Sequence, residues 1–132
     1  MAELVGTWKF VESSNMDELF SELGAPKDVF HASLEYKPTL VISLGDNELH
    51  MKMITNNTET EQSYELGKEV EELTLDGRIV LAYVTVESDK KVVHIQTHGF
   101  SKTVITREVY DDILITTIKS QNQTATIKYQ RV

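Results

Sequence analysis

The sequence predicts an all-β fold: an antiparallel up-and-down meander of ten strands, broken once by a helical hairpin after the first strand. Three observations predict it. Short runs rich in β-branched and aromatic residues recur along nearly the whole chain, tight turn signals separate them, and helical spacing is confined to the stretch between Asn15 and Pro38. The candidate strands are 5–13, 38–44, 48–54, 59–65, 69–74, 78–86, 91–97, 102–110, 112–119 and 124–131. Between them stand Gly45-Asp46-Asn47, Leu66-Gly67-Lys68, Asp76-Gly77, Ser88-Asp89, His98-Gly99, Asp111-Asp112 and Gln121-Asn122. Connections this short make successive strands antiparallel neighbours. Ten such strands either close into a barrel or fold into two stacked sheets.

The helical hairpin has its own punctuation. Asn15 followed by Glu18 reads as a capping box, Met16, Leu19, Phe20 and Leu23 share one apolar face, and Gly24 is the stop. Pro26 suits the first turn of a second helix carrying Val29, Phe30, Ala32 and Leu34, which Pro38 ends. The mouth of a barrel is where such an insertion fits as a lid.

The chain of 132 residues suffices for one domain spanning 1–132. Without cysteine it has neither disulfides nor thiolate metal ligands, which suits a reducing compartment. The start Met1-Ala2-Glu3-Leu4-Val5-Gly6 lacks the basic and apolar segments of a signal peptide, and no run approaches the roughly 20 apolar residues of a membrane span. A cytoplasmic protein is the expectation. The formal net charge of −8, with no basic stripe, argues against a nucleic-acid binder.

Arg107 carries the functional signal. In the run from Thr103 to Val109, the residues Thr103, Ile105, Arg107 and Val109 share one face, opposite Lys102, Thr106 and Glu108, a polar set interrupted only by Val104. The cation thus falls on the more apolar face, where an isolated charge costs several kcal/mol unless paired. A structural carboxylate, snorkelling at a strand end, or a bound acid would each account for it. On the last strand, Ala125, Ile127, Tyr129 and Arg131 form one face, so Tyr129 can share an interior with Arg107. His94 and Gln96 also share a parity, and the four histidines show no zinc-site spacing.

Several motifs together resemble the intracellular lipid-binding proteins, which include the fatty-acid-binding and cellular retinoid-binding proteins. They are Gly6-Thr7-Trp8-Lys9-Phe10, Ser14-Asn15-Met16-Asp17, Leu23-Gly24, Lys37-Pro38 and Ser63-Tyr64-Glu65-Leu66-Gly67-Lys68-Glu69, followed by Glu72, Thr74, Asp76, Arg78, His94, Gln96, Arg107 and Tyr129. The likeness runs from residue 4 to 132 and is strongest to the fatty-acid-binding proteins. It implies a ten-stranded antiparallel up-and-down β-barrel (a clam) with a two-helix lid between the first and second strands. It also implies a water-filled interior holding one long-chain fatty acid or similar lipid. In that family arginines and a tyrosine of the late strands hold the carboxylate. Arg107 and Tyr129 match two of them, but Ile127 stands where the family has a second arginine, and the adjacent Lys128 has the wrong parity to replace it.

The expected ligand-binding residues are therefore Arg107 and Tyr129 at the head group, Ile127 making room beside it, and Arg78 and Gln96 on the wall. The resemblance turns Arg78 inward with Asp76, as a polar pair. Ile79, Leu81 and Tyr83 then face outward, either packed locally or as a partner surface. The acidic lid residues Asp17, Glu18, Glu22, Asp28 and Glu35, against Lys27, predict delivery through water with at most transient membrane contact, and a monomer is expected. No cofactor or metal is expected. Ser13, Ser14 and the histidines form no catalytic motif, and no phosphate loop follows a strand. Carriage of long-chain fatty acids is the leading expectation. A carrier of retinoids or other bulky lipids is the alternative, and a barrel enzyme on lipid-like substrates is a more distant one.

Overall fold

The computed structural model describes residues 2–24, 37–55, 58–74 and 77–132. A short 3-10 helix, Ala2–Leu4, leads into β1 (Gly6–Ser14) and then α1 (Met16–Leu23). The remaining strands are β2 (Thr39–Gly45), β3 (Glu48–Ile54), β4 (Glu59–Glu65), β5 (Glu69–Leu73), β6 (Ile79–Ser88), β7 (Lys91–His98), β8 (Ser101–Tyr110), β9 (Ile113–Lys119) and β10 (Thr124–Arg131). Each lies within two residues of its expected position. The expected second helix over 26–34 lies outside the described residues, as does Asp76.

All ten strands form one antiparallel sheet in the order β4-β3-β2-β1-β10-β9-β8-β7-β6-β5. The pairing of β1 with both β2 and β10 rolls the meander into a nearly closed barrel, so the stacked-sheet alternative does not apply. A β-bulge between Phe10 and Glu12 bends β1 along its β10 neighbour. The strands β4 and β5 end the ladder and share no strand pairing. Side chains cross that seam instead: Gln62 Nε2 donates to the Glu71 carbonyl at 3.4 Å and the Tyr64 hydroxyl to Glu72 at 2.8 Å.

Alternation along the strands builds the interior. Val80, Ala82 and Val84 are buried on β6, while Ile79, Leu81 and Tyr83 on its other face are 63, 45 and 38 % exposed. Leu73, the cross-strand partner of Ile79, extends that outward apolar stripe. On α1, Met16 and Leu19 are buried and Phe20 and Leu23 pack against the core, as the helical spacing requires. Gly24 ends the helix at φ 76°, its N–H returned to the carbonyls of Phe20 and Ser21.

The capping box is not formed. Asn15 has a left-handed backbone (φ 59°) and its side chain makes no cap hydrogen bond. Its Nδ2 donates instead to Gln123 Oε1 at 3.0 Å and to the Thr124 carbonyl at 2.8 Å, which fixes the start of α1 to the β9–β10 turn. Glu22 fixes the far end of the helix to the same turn. Its carboxylate accepts from the Asn122 N–H at 3.0 Å and from the Ser120 hydroxyl. The Asn122 N–H, followed by the Ser120 hydroxyl, holds the Glu22 carboxyl below the usual range.

The opposite end of the barrel closes on Trp8, which is fully buried and donates Nε1–H to the Leu4 carbonyl at 2.9 Å. The Arg131 guanidinium lies 4.2 Å over its ring and donates to the carbonyls of Val5 and Glu3 at 3.0 and 2.7 Å. Gly6 sits beneath that clamp at φ 145°, and a Cβ there would lie 2.8 Å from Arg131 Nη1. Gly6→Ala is therefore expected to cost about 1–3 kcal/mol through backbone strain and a displaced guanidinium, measured as a lower urea midpoint with unchanged slope.

Candidate functional site

Thr103, Ile105 and Val109 are buried on the inner face of β8, and Arg107 lies half-buried among them. The cation does point inward. Its Nη1 lies 3.1 Å from His94 Nδ1. A guanidinium only donates, so Nδ1 accepts and the ring proton resides on Nε2. That Nε2–H donates to Glu72 Oε1 at 2.9 Å, where Gln96 Nε2 also donates at 3.0 Å. The second Glu72 oxygen accepts from the Tyr64 hydroxyl at 2.8 Å, and the Tyr64 ring packs edgewise on the His94 ring at 4.8 Å. Four strands thus supply one continuous chain, Tyr64–Glu72–His94–Arg107, with Gln96 as a branch.

The electrostatics follow from this geometry. Burial alone would raise the Glu72 carboxyl, but the hydrogen bonds from His94, Tyr64 and Gln96 outweigh it and hold it low. Burial lowers the His94 imidazole, helped by the Arg107 cation and resisted by Glu72, so the ring stays neutral. Burial, then the Glu72 charge, pushes the Tyr64 phenol far up. Among the described residues Arg107 has no carboxylate in contact. Glu72 reaches it only through the imidazole.

Tyr129 is buried on the inner face of β10, its ring edge-on to Phe10 at 6.3 Å. Burial pushes its phenol up to about 12, and the nearby Arg107 charge pulls it partly back. Register places Val92, Arg107, Thr116, Ile127 and Ser13 side by side across β7, β8, β9, β10 and β1. Ile127 is thus a buried apolar neighbour two strands from the guanidinium. Arg78 precedes β6 with the inward parity of Val80, half-buried, its backbone paired with Thr74. Its expected partner Asp76 lies outside the described residues.

The structure therefore brings Arg107, Tyr129, Ile127 and Gln96 to one interior, with Gln96 engaged on Glu72. The sequence named Tyr64 and Glu72 as motif residues without assigning them to the site, and Thr116 was not singled out. Glu72 carried the same signal as Arg107, since it shares the side-chain parity of Val70 on β5. Thr116 lies in step with Leu114 on β9. No group of three or more His, Cys, Asp or Glu among the described residues could hold a metal ion.

A single, nearly closed meander with an ionic chain on its inner wall defines a small β-barrel of the ligand-enclosing kind. Residues 5–132 match the Lipocalin / cytosolic fatty-acid binding protein family, and the chain belongs to that family. It is 41% identical over 132 residues to a fatty acid-binding protein of Clonorchis sinensis, covering 99% of each chain. Among solved structures it resembles the Schistosoma mansoni fatty acid binding protein in complex with arachidonic acid, at TM-score 0.94 and 30% identity over 100% of this chain and 98% of that one. It also resembles the Echinococcus granulosus fatty-acid-binding protein 1, at TM-score 0.92 and 29% identity over 100% and 99%.

A buried imidazole held neutral makes stability depend on acid. The folded His94 binds its proton less readily than the unfolded ring, whose ordinary value is 6.5, so stability rises with pH and is lost as pH falls below that value. Glu72 adds a loss of the same sign only below its ordinary value of 4.5. The unfolding free energy is thus expected to drop between pH 7 and pH 5, and His94→Gln to flatten that drop, as read from urea titrations at both pH values.

Proposed function

We propose that the protein is a carrier that takes a long-chain fatty acid into the barrel, its carboxylate held by Arg107 with Tyr129 as a second donor. One observation carries this reading. Arg107 offers an inward guanidinium whose single partner among the described residues is a neutral imidazole, which leaves most of its five N–H donors for an anion. Membership of the family and the likeness to fatty acid-binding proteins support it, as does arachidonic acid in the Schistosoma mansoni neighbour.

The chemistry divides the work between head and tail. Each methylene removed from water contributes roughly 0.8 kcal/mol, so the acyl chain supplies most of the affinity. The guanidinium selects acids over neutral lipids and sets their direction, through a charge-assisted bond. The Tyr129 hydroxyl, buried and neutral, adds a weaker donor. Gln96 keeps Glu72 in place, and Arg78 adds positive potential to the same inner face. Ile127 leaves the acid with a single cationic anchor and apolar space beside it. That space favours a bulkier acid, such as a retinoid, as the second reading.

The carrier acts as a cytosolic monomer, without cofactor or catalysis, and ligand extracted after incubation is expected to be recovered unchanged. Turnover of a lipid would move the protein to the barrel enzymes. The exposed Asp17, Glu18 and Glu22 of α1 give the lid an acidic outer face, which supports release through water.

Arg107→Ala is expected to weaken oleate binding by roughly tenfold or more while changing oleyl alcohol binding far less, in titration calorimetry. Equal losses for acid and alcohol would make Arg107 a structural residue. In the same assay, retinoate binding more tightly than oleate would favour the bulkier acid. Transfer of a fluorescent fatty acid to vesicles is expected to be insensitive to the fraction of anionic lipid, and strong acceleration by such lipid would contradict release through water.

A further inference from the structure

Thr116 is 4 % exposed on the inner face of β9, and its Oγ1 is the buried side-chain polar atom without a hydrogen-bond partner among the described residues. Such an orphan normally costs about 1–3 kcal/mol and needs a reason. Its two cross-strand neighbours give none. No hydrogen bond joins it to Arg107 on β8, whose Nη1 is turned to His94, and Ile127 on β10 has no polar atom. The backbone around it belongs to the β8–β9 and β9–β10 ladders.

A hydroxyl and a guanidinium thus stand side by side on the same wall. An oxygen that accepts from both satisfies the orphan and the cation together, and a carboxylate has two such oxygens. The geometry points to Thr116 as a ligand-binding residue whose O–H donates to the carboxylate that Arg107 holds, an inference that rests on the proposed head-group role of Arg107. Thr116 then supplies a neutral second contact on the side where Ile127 provides no donor.

Thr116→Val keeps the shape and removes the hydroxyl, so affinity and stability should separate. The variant is expected to bind oleate about tenfold more weakly by calorimetry, yet to unfold without ligand at an equal or higher urea midpoint, because valine leaves no unpaired polar atom. Thr116→Ser should bind within about threefold of the parent, since the donor is retained. With oleate labelled at its carboxyl carbon, the bound 13C signal should shift in Thr116→Val and not in Thr116→Ser. Unchanged affinity and carboxyl signal in Thr116→Val, with Arg107→Ala still impaired, would overturn the Thr116 assignment alone. A lower unfolding midpoint in Thr116→Val would also overturn it, by revealing a structural partner for the hydroxyl. Full oleate affinity in Arg107→Ala would overturn both this inference and the head-group reading beneath it.

Discussion

The arrangement that everything else serves is the placement of a neutral imidazole between two opposite charges inside the barrel. Arg107 and Glu72 in direct contact would neutralise each other and leave little field for a guest. His94, donating to one and accepting from the other, satisfies both while holding them a ring apart. The charges are paired in the bookkeeping of the interior, which lessens the penalty of burying them. Their near fields remain separate, and the guanidinium keeps its unspent donors.

This arrangement explains much of the surrounding sequence. Tyr64 and Gln96 are buried polar residues because a carboxylate with several lone pairs needs several donors. They come from β4 and β7, and Glu72 itself from β5, so the chain forms only when strands far apart in sequence are already in register. Val92, Val109, Leu114 and Ile127 make the neighbouring wall largely apolar, with Thr103 and Thr116 its buried hydroxyls. The Trp8–Arg131 clamp uses the other late arginine to seal the opposite end, which takes it out of the binding chemistry.

Much of this was legible in the chain, for reasons specific to β structure. A period of two assigns each side chain to a face, so Arg107, Tyr129, Ile127, His94 and Gln96 could be turned inward residue by residue. Closure was less accessible, because the β1–β10 pairing joins the two ends of the sequence and leaves no local mark. The same distance hid the role of Asn15, whose short-range pattern fits a helix cap but whose amide is taken by Gln123 and Thr124, more than a hundred residues away. Glu72 was within reach by parity, though its partners were not. The orphan hydroxyl of Thr116 is an absence, and a missing partner becomes visible only when every neighbour has been placed.

The seam between β4 and β5 gives the barrel a property that its ladders do not. Tyr64 stands on one lip and Glu72 on the other, and their hydrogen bond is also the root of the charge relay that ends at Arg107. Girth and grip are therefore linked. A guest broad enough to spread the lips would stretch the very contact that steadies the imidazole, and would slacken the hold on its own head group. A slender guest would leave the lips closed, so in the proposed carrier the Tyr64–Glu72 contact ties the girth of the guest to the hold on its carboxylate.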